Sequence, residues 1–489
     1  MRSTRAILAS ASAMGMCVGV VVPGSLGLAG AAGSSSALTS ATTVRAGSGV
    51  PGPALAYDFN GDGYADLPVG APGEDLGRVR AAGAVNVIYG SAGGLTARGD
   101  QVWTQQSPGV PGRAERFDRF GADLASGDFD ADGFADLVIE SGGEDAGDGR
   151  AVWGSATVLH GSRSGLTAKG ARTWPASAFP DRVDDTVGVG GMRYVIGDFN
   201  ADLADDLAIG YDVQATSFPY GWLIWGGRNG LSSTVVKVAG TPLAAGDLTG
   251  DAIDDLVVTT CGWPCTTAWQ VALGSRSAPL RRVIRAPSDG RYLETSDHIT
   301  GDIDADGVEE LLRIGTPGDG PPYSLLAQGV TGATVDGPTE LTGADLGVPA
   351  EAIWHNQTAG DVTADGAAEV LIALWSAPAG AVFLVQGTPG TGILAQPGQV
   401  WSQSTPGVKG TEQPGDDFGA AVRIGRFGTS PYSSAAIGAP GEKRGTGRVT
   451  VLPGADSGLT ARGDRVWSQD SAGIKGRAEP GDQFGSALG

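Results

Sequence analysis

Apolar and polar positions alternate on a short cycle along this chain. Runs of four to seven residues, rich in Val, Ile, Leu and aromatic side chains, are separated by clusters of Gly, Asp, Asn and Ser. Past the N-terminal segment, no long stretch repeats with a 3.6-residue period. The pattern predicts short strands and tight turns, an all-β protein. Strands are expected at 67–69, 137–139, 207–209, 256–258, 311–314 and 370–373, with following strands at 84–89, 157–160, 222–225 and 449–452. The 82 glycines agree with many turns rather than long helices.

The strands come in repeated modules. An acidic nine-residue loop starts at positions 58, 128, 198, 247, 302 and 361, and a seventh copy at 426 has lost its acids. The mean spacing is about 61 residues, which suits one four-stranded propeller blade per module. A Phe-Gly strand precedes the loop in the clearest copies, at Phe120-Gly121 and Phe418-Gly419. Gly-Ala-Pro follows it at 70–72 and 438–440, and a Gly-Leu-Thr-Ala tail closes the module at 94–97, 165–168 and 458–461. The chain ends in Phe484-Gly485-Ser486-Ala487-Leu488-Gly489, while residues 52–57 before the first loop lack the Phe-Gly. The last segment is therefore either a strand that closes a ring on the first blade or the start of an eighth module.

Positions 1, 3, 5 and 9 of each loop carry oxygen side chains. In the first copy these are Asp58, Asn60, Asp62 and Asp66, and in the second Asp128, Asp130, Asp132 and Asp136. The third copy has Asp198, Asn200, Asp202 and Asp206, and the fourth Asp247, Thr249, Asp251 and Asp255. The fifth has Asp302, Asp304, Asp306 and Glu310, and the sixth Asp361, Thr363, Asp365 and Glu369. In a tight loop alternate residues point to one side, and position 6, a Gly in four copies, allows the sharp turn. Hard oxygens in a flexible loop suit Ca²⁺, which takes about 6–8 of them, ahead of Mg²⁺. An EF-hand is excluded, because the last acid stands at position 9 and a strand follows. Leu203 and Ala252 replace the position 6 Gly in copies three and four. Arg426 opens copy seven, which is expected to hold no ion.

The Phe-Gly strand, acidic loop, apolar strand and Gly-Ala-Pro together resemble the FG-GAP repeat of the integrin α-subunit N-terminal β-propeller. Similar repeats occur in bacterial secreted proteins and in glycosylphosphatidylinositol-specific phospholipase D. The resemblance spans about 51–489 and implies a seven-bladed β-propeller with calcium in its blade hairpins. Worn motifs leave the blade boundaries between about 170 and 400 open.

Composition narrows the function classes. The formal charge of −21 argues against nucleic acid or an anionic membrane as partner. Residues 1–31 read as a signal peptide, with Arg2 and Arg5 ahead of an apolar run and an Ala-x-Ala site, and 32–50 as a flexible linker. The mature protein is expected to be secreted, without a membrane span, associated with the cell surface in one reading, and monomeric. Losing Arg2 and Arg5 takes the charge to −23, and six divalent ions would return it to −11. Cys261 and Cys265 are then an even pair, expected as a local disulfide.

The remaining motifs add little chemistry. Arg98-Gly99-Asp100 and Arg462-Gly463-Asp464 share one repeat phase, so they read as a repeated turn before a Trp strand rather than as integrin-ligand mimicry. Trp103, Trp174, Trp401 and Trp467 share a phase too, expected as blade-to-blade core, with sugar stacking as the competing role. His160, His298 and His355 fall in different modules without a nucleophile signature, so no enzyme is expected. The leading function is a calcium-binding adhesion module for a protein or glycan. A polysaccharide lyase or other carbohydrate-active enzyme and a purely structural surface protein are the alternatives.

Overall fold

The computed structural model describes residues 54–144, 154–179, 192–211, 221–259, 269–286, 292–316, 323–332, 334–349, 351–374 and 379–489. The expected signal peptide, the whole of the expected linker, Cys261 and Cys265 lie outside them. Among the described residues seven antiparallel sheets follow one another along the chain as the blades of a propeller, and an eighth, two-stranded sheet pairs Val330–Thr331 with Thr334–Val335. Blade 1 holds Leu67–Ala71, Ala84–Tyr89 and Thr96–Trp103, and blade 2 holds Phe120–Gly127, Asp136–Ser141, Ser155–His160 and Thr167–Pro175. Blades 3 to 6 span 192–238, 241–285, 292–342 and 354–401, each with four strands in sequence order. Blade 7 spans 422–467. The first strands of successive blades pack on one another and line the inside of the ring.

Among the described residues no single core fills the centre. Seven hydrophobic clusters occur, and each joins two adjacent blades. Loop position 2 supplies a plug to every one of them. Phe59, Phe129, Phe199, Leu248, Ile303, Val362 and Phe427 are all buried, each in the seam between its own blade and the next. Full burial of one such side chain stabilises by about 1.5–3 kcal/mol, so the hairpin that carries the acids also locks the ring.

The Phe-Gly and Gly-Ala-Pro motifs meet across the seams. Phe120 and Phe484 are fully buried, and each bridges in parallel to a glycine of the preceding blade, Gly83 and Gly447. Gly121 and Gly485 follow at φ of 89° and 92°, where a side chain is strained. A β-carbon on Gly70 would lie 2.1 Å from the Gly121 carbonyl oxygen, and one on Gly438 2.0 Å from that of Gly485. The glycine of Gly-Ala-Pro is thus required because the next module's Phe-Gly backbone lies against it.

Residues 484–489 run along the first strand of blade 1. Leu488 bridges Val69, Gly70 N–H donates to the Ala487 carbonyl at 2.9 Å, and Gly485 N–H donates to the Gly70 carbonyl at 2.9 Å. They occupy the place that Phe120–Gly127 holds in blade 2, and residues 54–57 form no strand. The cluster joining Leu67, Val69 and Ile88 to Ala436, Val449 and Val451 packs this seam like the others. A polar latch recurs at three seams as well: Gln105 donates to Glu144 at 2.6 Å, Gln403 to Glu442 at 2.8 Å, and Gln469 to Glu74 at 2.6 Å.

Candidate metal centre

All six acidic loops join the first and second strands of a blade or, in blade 1, lead into Leu67–Ala71, and their internal wiring repeats. The carboxylate at position 1 caps the turn. Asp58 accepts from Asp62 N–H at 3.1 Å and Gly63 N–H at 2.8 Å, and Asp128 from Asp132 N–H at 3.1 Å and Gly133 N–H at 3.0 Å. Asp198, Asp247, Asp302 and Asp361 do the same for their own position 6 amides, at 2.9, 2.7, 3.0 and 3.0 Å. Position 5 accepts from position 7, as in Asp62 with Tyr64 N–H at 3.1 Å and Asp306 with Val308 N–H at 2.8 Å. Copies three and four keep this shape without glycine, holding Leu203 at φ 77° and Ala252 at φ 62°.

Position 9 does structural work that the ligand pattern alone does not disclose. Asp66 accepts from Phe59 N–H at 2.9 Å and Gly90 N–H at 2.8 Å, and Asp136 from Phe129 N–H at 3.2 Å and Gly161 N–H at 2.8 Å. Asp206 and Asp255 reach Gly226 and Gly274 N–H at 2.8 and 2.9 Å. This carboxylate ties the loop to the end of the third strand. Asp66, Asp136, Asp206, Asp255 and Glu369 are almost fully buried, whereas Glu310 is half-buried.

Each loop also touches the next, and the contacts close a circle on one face. Ala135 N–H donates to the Asp58 carbonyl at 3.0 Å, Asp205 N–H to that of Asp128 at 2.9 Å, and Glu309 N–H to that of Asp247 at 3.0 Å. Ala368 N–H donates to the Asp302 carbonyl at 2.7 Å, Ser433 N–H to that of Asp361 at 3.2 Å, and Ala65 N–H to that of Arg426 at 3.0 Å. Between loops three and four the link is a side chain: Asp198 N–H donates to the Asp254 carboxylate at 2.9 Å. Asp205 makes a matching bond, accepting from Asp128 N–H at 2.7 Å. The seventh loop, without acids, completes the circle through its backbone.

Three carboxylates converge in loop two, at Asp128, Asp130 and Asp132, and in loop five, at Asp302, Asp304 and Asp306. These are the two copies with Asp at positions 1, 3 and 5. Copies one and three place Asn60 and Asn200 there, and copies four and six Thr249 and Thr363, of which Thr363 donates to Glu369 at 3.1 Å. Burial raises the acids. Asp66 and Asp206 are pushed up to about 8, Asp255, Glu310 and Glu369 to about 7, and Asp128 and Asp136 to about 6, with neighbouring loop carboxylates adding to the shift. Crowded, desolvated oxygens of this kind fit a bound divalent cation.

The other sequence candidates resolve into structure. Trp174 and Trp401 are buried in seam clusters, and Trp103 and Trp467 pack against theirs, so the tryptophans are blade-to-blade core. The first Arg-Gly-Asp lies inside the strand Thr96–Trp103 rather than in a turn, since the outer strand starts before it. Both aspartates are buried: Asp100 accepts from Lys475 N–H at 2.6 Å and Asp464 from Lys409 N–H at 2.7 Å. The two lysine side chains lie 3.9 and 3.1 Å from the carboxylates. At the blade 1–2 seam Pro111 stands where the lysine would be and Ala171 where the aspartate would be. Clamp partners that are lost together mark a structural pair.

His298 is buried in the first strand of blade 5 and His355 half-buried in that of blade 6, both held below the usual imidazole range by burial. His160 is different, because it faces loop two. Its sequence signal was its place directly before Gly161, the glycine that Asp136 ties down.

The FG-GAP repeat family matches residues 51–88. Phosphatidylinositol-glycan-specific phospholipase D of Bos taurus is 33% identical over 155 residues, covering 31% of this chain and 17% of that protein. Its counterpart in Rattus norvegicus is 39% identical over 110 residues, covering 22% and 13%. The matched part is thus under a fifth of those relatives' length. A triple arginine-to-alanine mutant of AofleA from Arthrobotrys oligospora aligns over 68% of this chain and 82% of its own, at 10% identity and a TM-score of 0.37. No helix among the described residues is long and apolar enough to cross a membrane. The chain carries the FG-GAP repeat within a β-propeller of seven blades.

Proposed function

We propose that this propeller is a secreted, calcium-stabilised binding module that presents a loop face to a protein or glycan ligand, and that it is not an enzyme. The observation that carries the reading is the closed circle of seven loops, six of which are acidic and five of which bury the carboxylate at position 9. Positions 1, 3, 5 and 9, with the position 7 carbonyl, would hold the ions, in loops 58–66, 128–136, 198–206, 247–255, 302–310 and 361–369. Bound Ca²⁺ supplies positive charge where the carboxylates repel one another. The chain's part is to fix the donors: position 1 caps the turn, position 2 anchors it in the seam, and position 9 ties it to the third strand. Affinity in the range of about 10⁻⁴–10⁻³ M, as in other extracellular modules, suits an environment rich in the ion.

Propeller architecture leaves ligand identity to variable loops, so the partner class is tested directly. Glycan and protein arrays are probed with the purified chain in calcium and after chelation. Retention that requires calcium is expected. Binding unchanged by chelation, or no binding on either array, overturns the adhesion reading. Release of unsaturated products from acidic polysaccharide would favour a lyase instead.

A further inference from the structure

Loop two differs from its siblings in one ligand. His160 ends the third strand of blade 2 and turns its Nδ1 into the loop, 3.3 Å from Asp136 Oδ2 and 3.7 Å from Asp130 Oδ2. That nitrogen is buried and has no hydrogen-bond partner, and neither has the buried Asp130 Oδ1 beside it. The ring's other edge lies against Gly170, where a β-carbon would come 3.5 Å from His160 Cδ2 and 3.7 Å from Nε2. One donor atom from each of Asp130, Asp136 and His160 lies within 4.8 Å of the others. The equivalent position, directly before the glycine that ends the corresponding strand, is Tyr89, Trp225, Leu273, Gln328, Gln386 and Pro453 in the other six blades. None of those supplies a nitrogen suited to a metal.

Donor chemistry separates this set from the rest. Imidazole is a poor ligand for Ca²⁺ and a good one for zinc-class ions, which accept mixed nitrogen and carboxylate donors. Bonds of about 2.0–2.2 Å place neighbouring ligand atoms of a tetrahedron about 3.3–3.6 Å apart. The observed separations are 3.3 and 3.7 Å.

We propose that loop two is a zinc-class site in which His160 Nδ1, Asp130 and Asp136 bind one divalent transition metal, with water free to complete the coordination, while the all-oxygen loops keep to calcium. This rests on the reading of the loops as metal holders but not on calcium occupying them. Its consequence is a propeller with two kinds of metal site on one circle of loops. Loop three would sense the occupant of loop two, since the Asp205 carboxylate accepts from Asp128 N–H.

The test uses the full chain stripped of metal, with Co²⁺ as the probe. One Co²⁺ per chain is expected, with visible ligand-field bands, no intense thiolate charge-transfer band, and retention in excess Ca²⁺. His160→Gln should weaken Co²⁺ binding about tenfold or more, since loss of even an indirect supporting group costs about 10–100-fold. Asp130→Asn should weaken it too, and His160→Gln should keep the wild-type circular dichroism spectrum and its calcium-dependent melting shift. Co²⁺ binding that is unchanged in His160→Gln, carries a thiolate band, or is displaced by Ca²⁺ overturns the proposal. If calcium leaves melting unchanged while a His160-dependent Co²⁺ band persists, the calcium reading fails and this one stands.

Discussion

Replacing Asp100 by Ala separates a buried inter-blade clamp from a displayed recognition tripeptide. Asp100 is only 2% exposed, and its carboxylate accepts the Lys475 amide at 2.6 Å across the seam between blades 7 and 1. Losing a hydrogen bond to a charged group leaves that amide dry, at about 1.5–3 kcal/mol. The Lys475 ammonium is 62% exposed at 3.9 Å and adds at most about 1 kcal/mol. The expected loss is about 2–3 kcal/mol. At about 2.1 cal/mol/K per residue, a domain of this size unfolds with an entropy near 0.9 kcal/mol/K, so the melting point should fall by about 2–3 °C. Arg98→Ala, at an exposed position, should stay within about 0.5 kcal/mol of wild type. Calorimetry reads the stability, and attachment of integrin-bearing cells to immobilised protein reads recognition. A variant that melts like wild type but loses attachment would refute the clamp.

Two further outcomes follow from the loops. Leu203→Gly should stabilise the protein by about 1 kcal/mol in urea unfolding, because Leu203 holds a φ of 77° that costs an ordinary residue about 1–2 kcal/mol, and its side chain is 48% exposed. The metal-free protein should lose stability as pH rises from about 5 to about 8: Asp66 and Asp206 move from 3.8 unfolded to about 8 folded, and Asp255 to about 7. The folded state then binds more protons than the unfolded state across that interval, so the slope of stability against pH is negative. Urea midpoints taken across the range in chelator-treated buffer check it, and saturating calcium should flatten the slope.

The repeat, the acidic spacing and the short-strand pattern were legible because each depends on local chemistry. Asp at position 1 builds its turn from its own loop's amides, so the turn survives where Leu203 and Ala252 have replaced glycine. Relations across seams were harder to see. Nothing in the spacing of Asp205 or Asp254 shows that their carboxylates serve the neighbouring loop's first amide. His160 looked like a strand residue because the loop it faces starts 32 positions earlier. The worn middle blades hid their boundaries for a related reason. Close approach there depends on the single glycine before each loop, such as Gly246, where a β-carbon would lie 1.8 Å from Glu309 Oε2, rather than on a Phe-Gly and Gly-Ala-Pro pair. The Arg-Gly-Asp tripeptides, conspicuous in the sequence, turned out to be seam fittings.

The most direct measurement is thermal unfolding of the metal-stripped chain as calcium is added at fixed pH near 7.5. Six loops of crowded carboxylates predict a melting point that climbs with calcium over the range of about 10⁻⁴–10⁻³ M and falls back on chelation. A melting point that calcium and chelator leave unchanged would contradict the assignment of these loops as calcium holders.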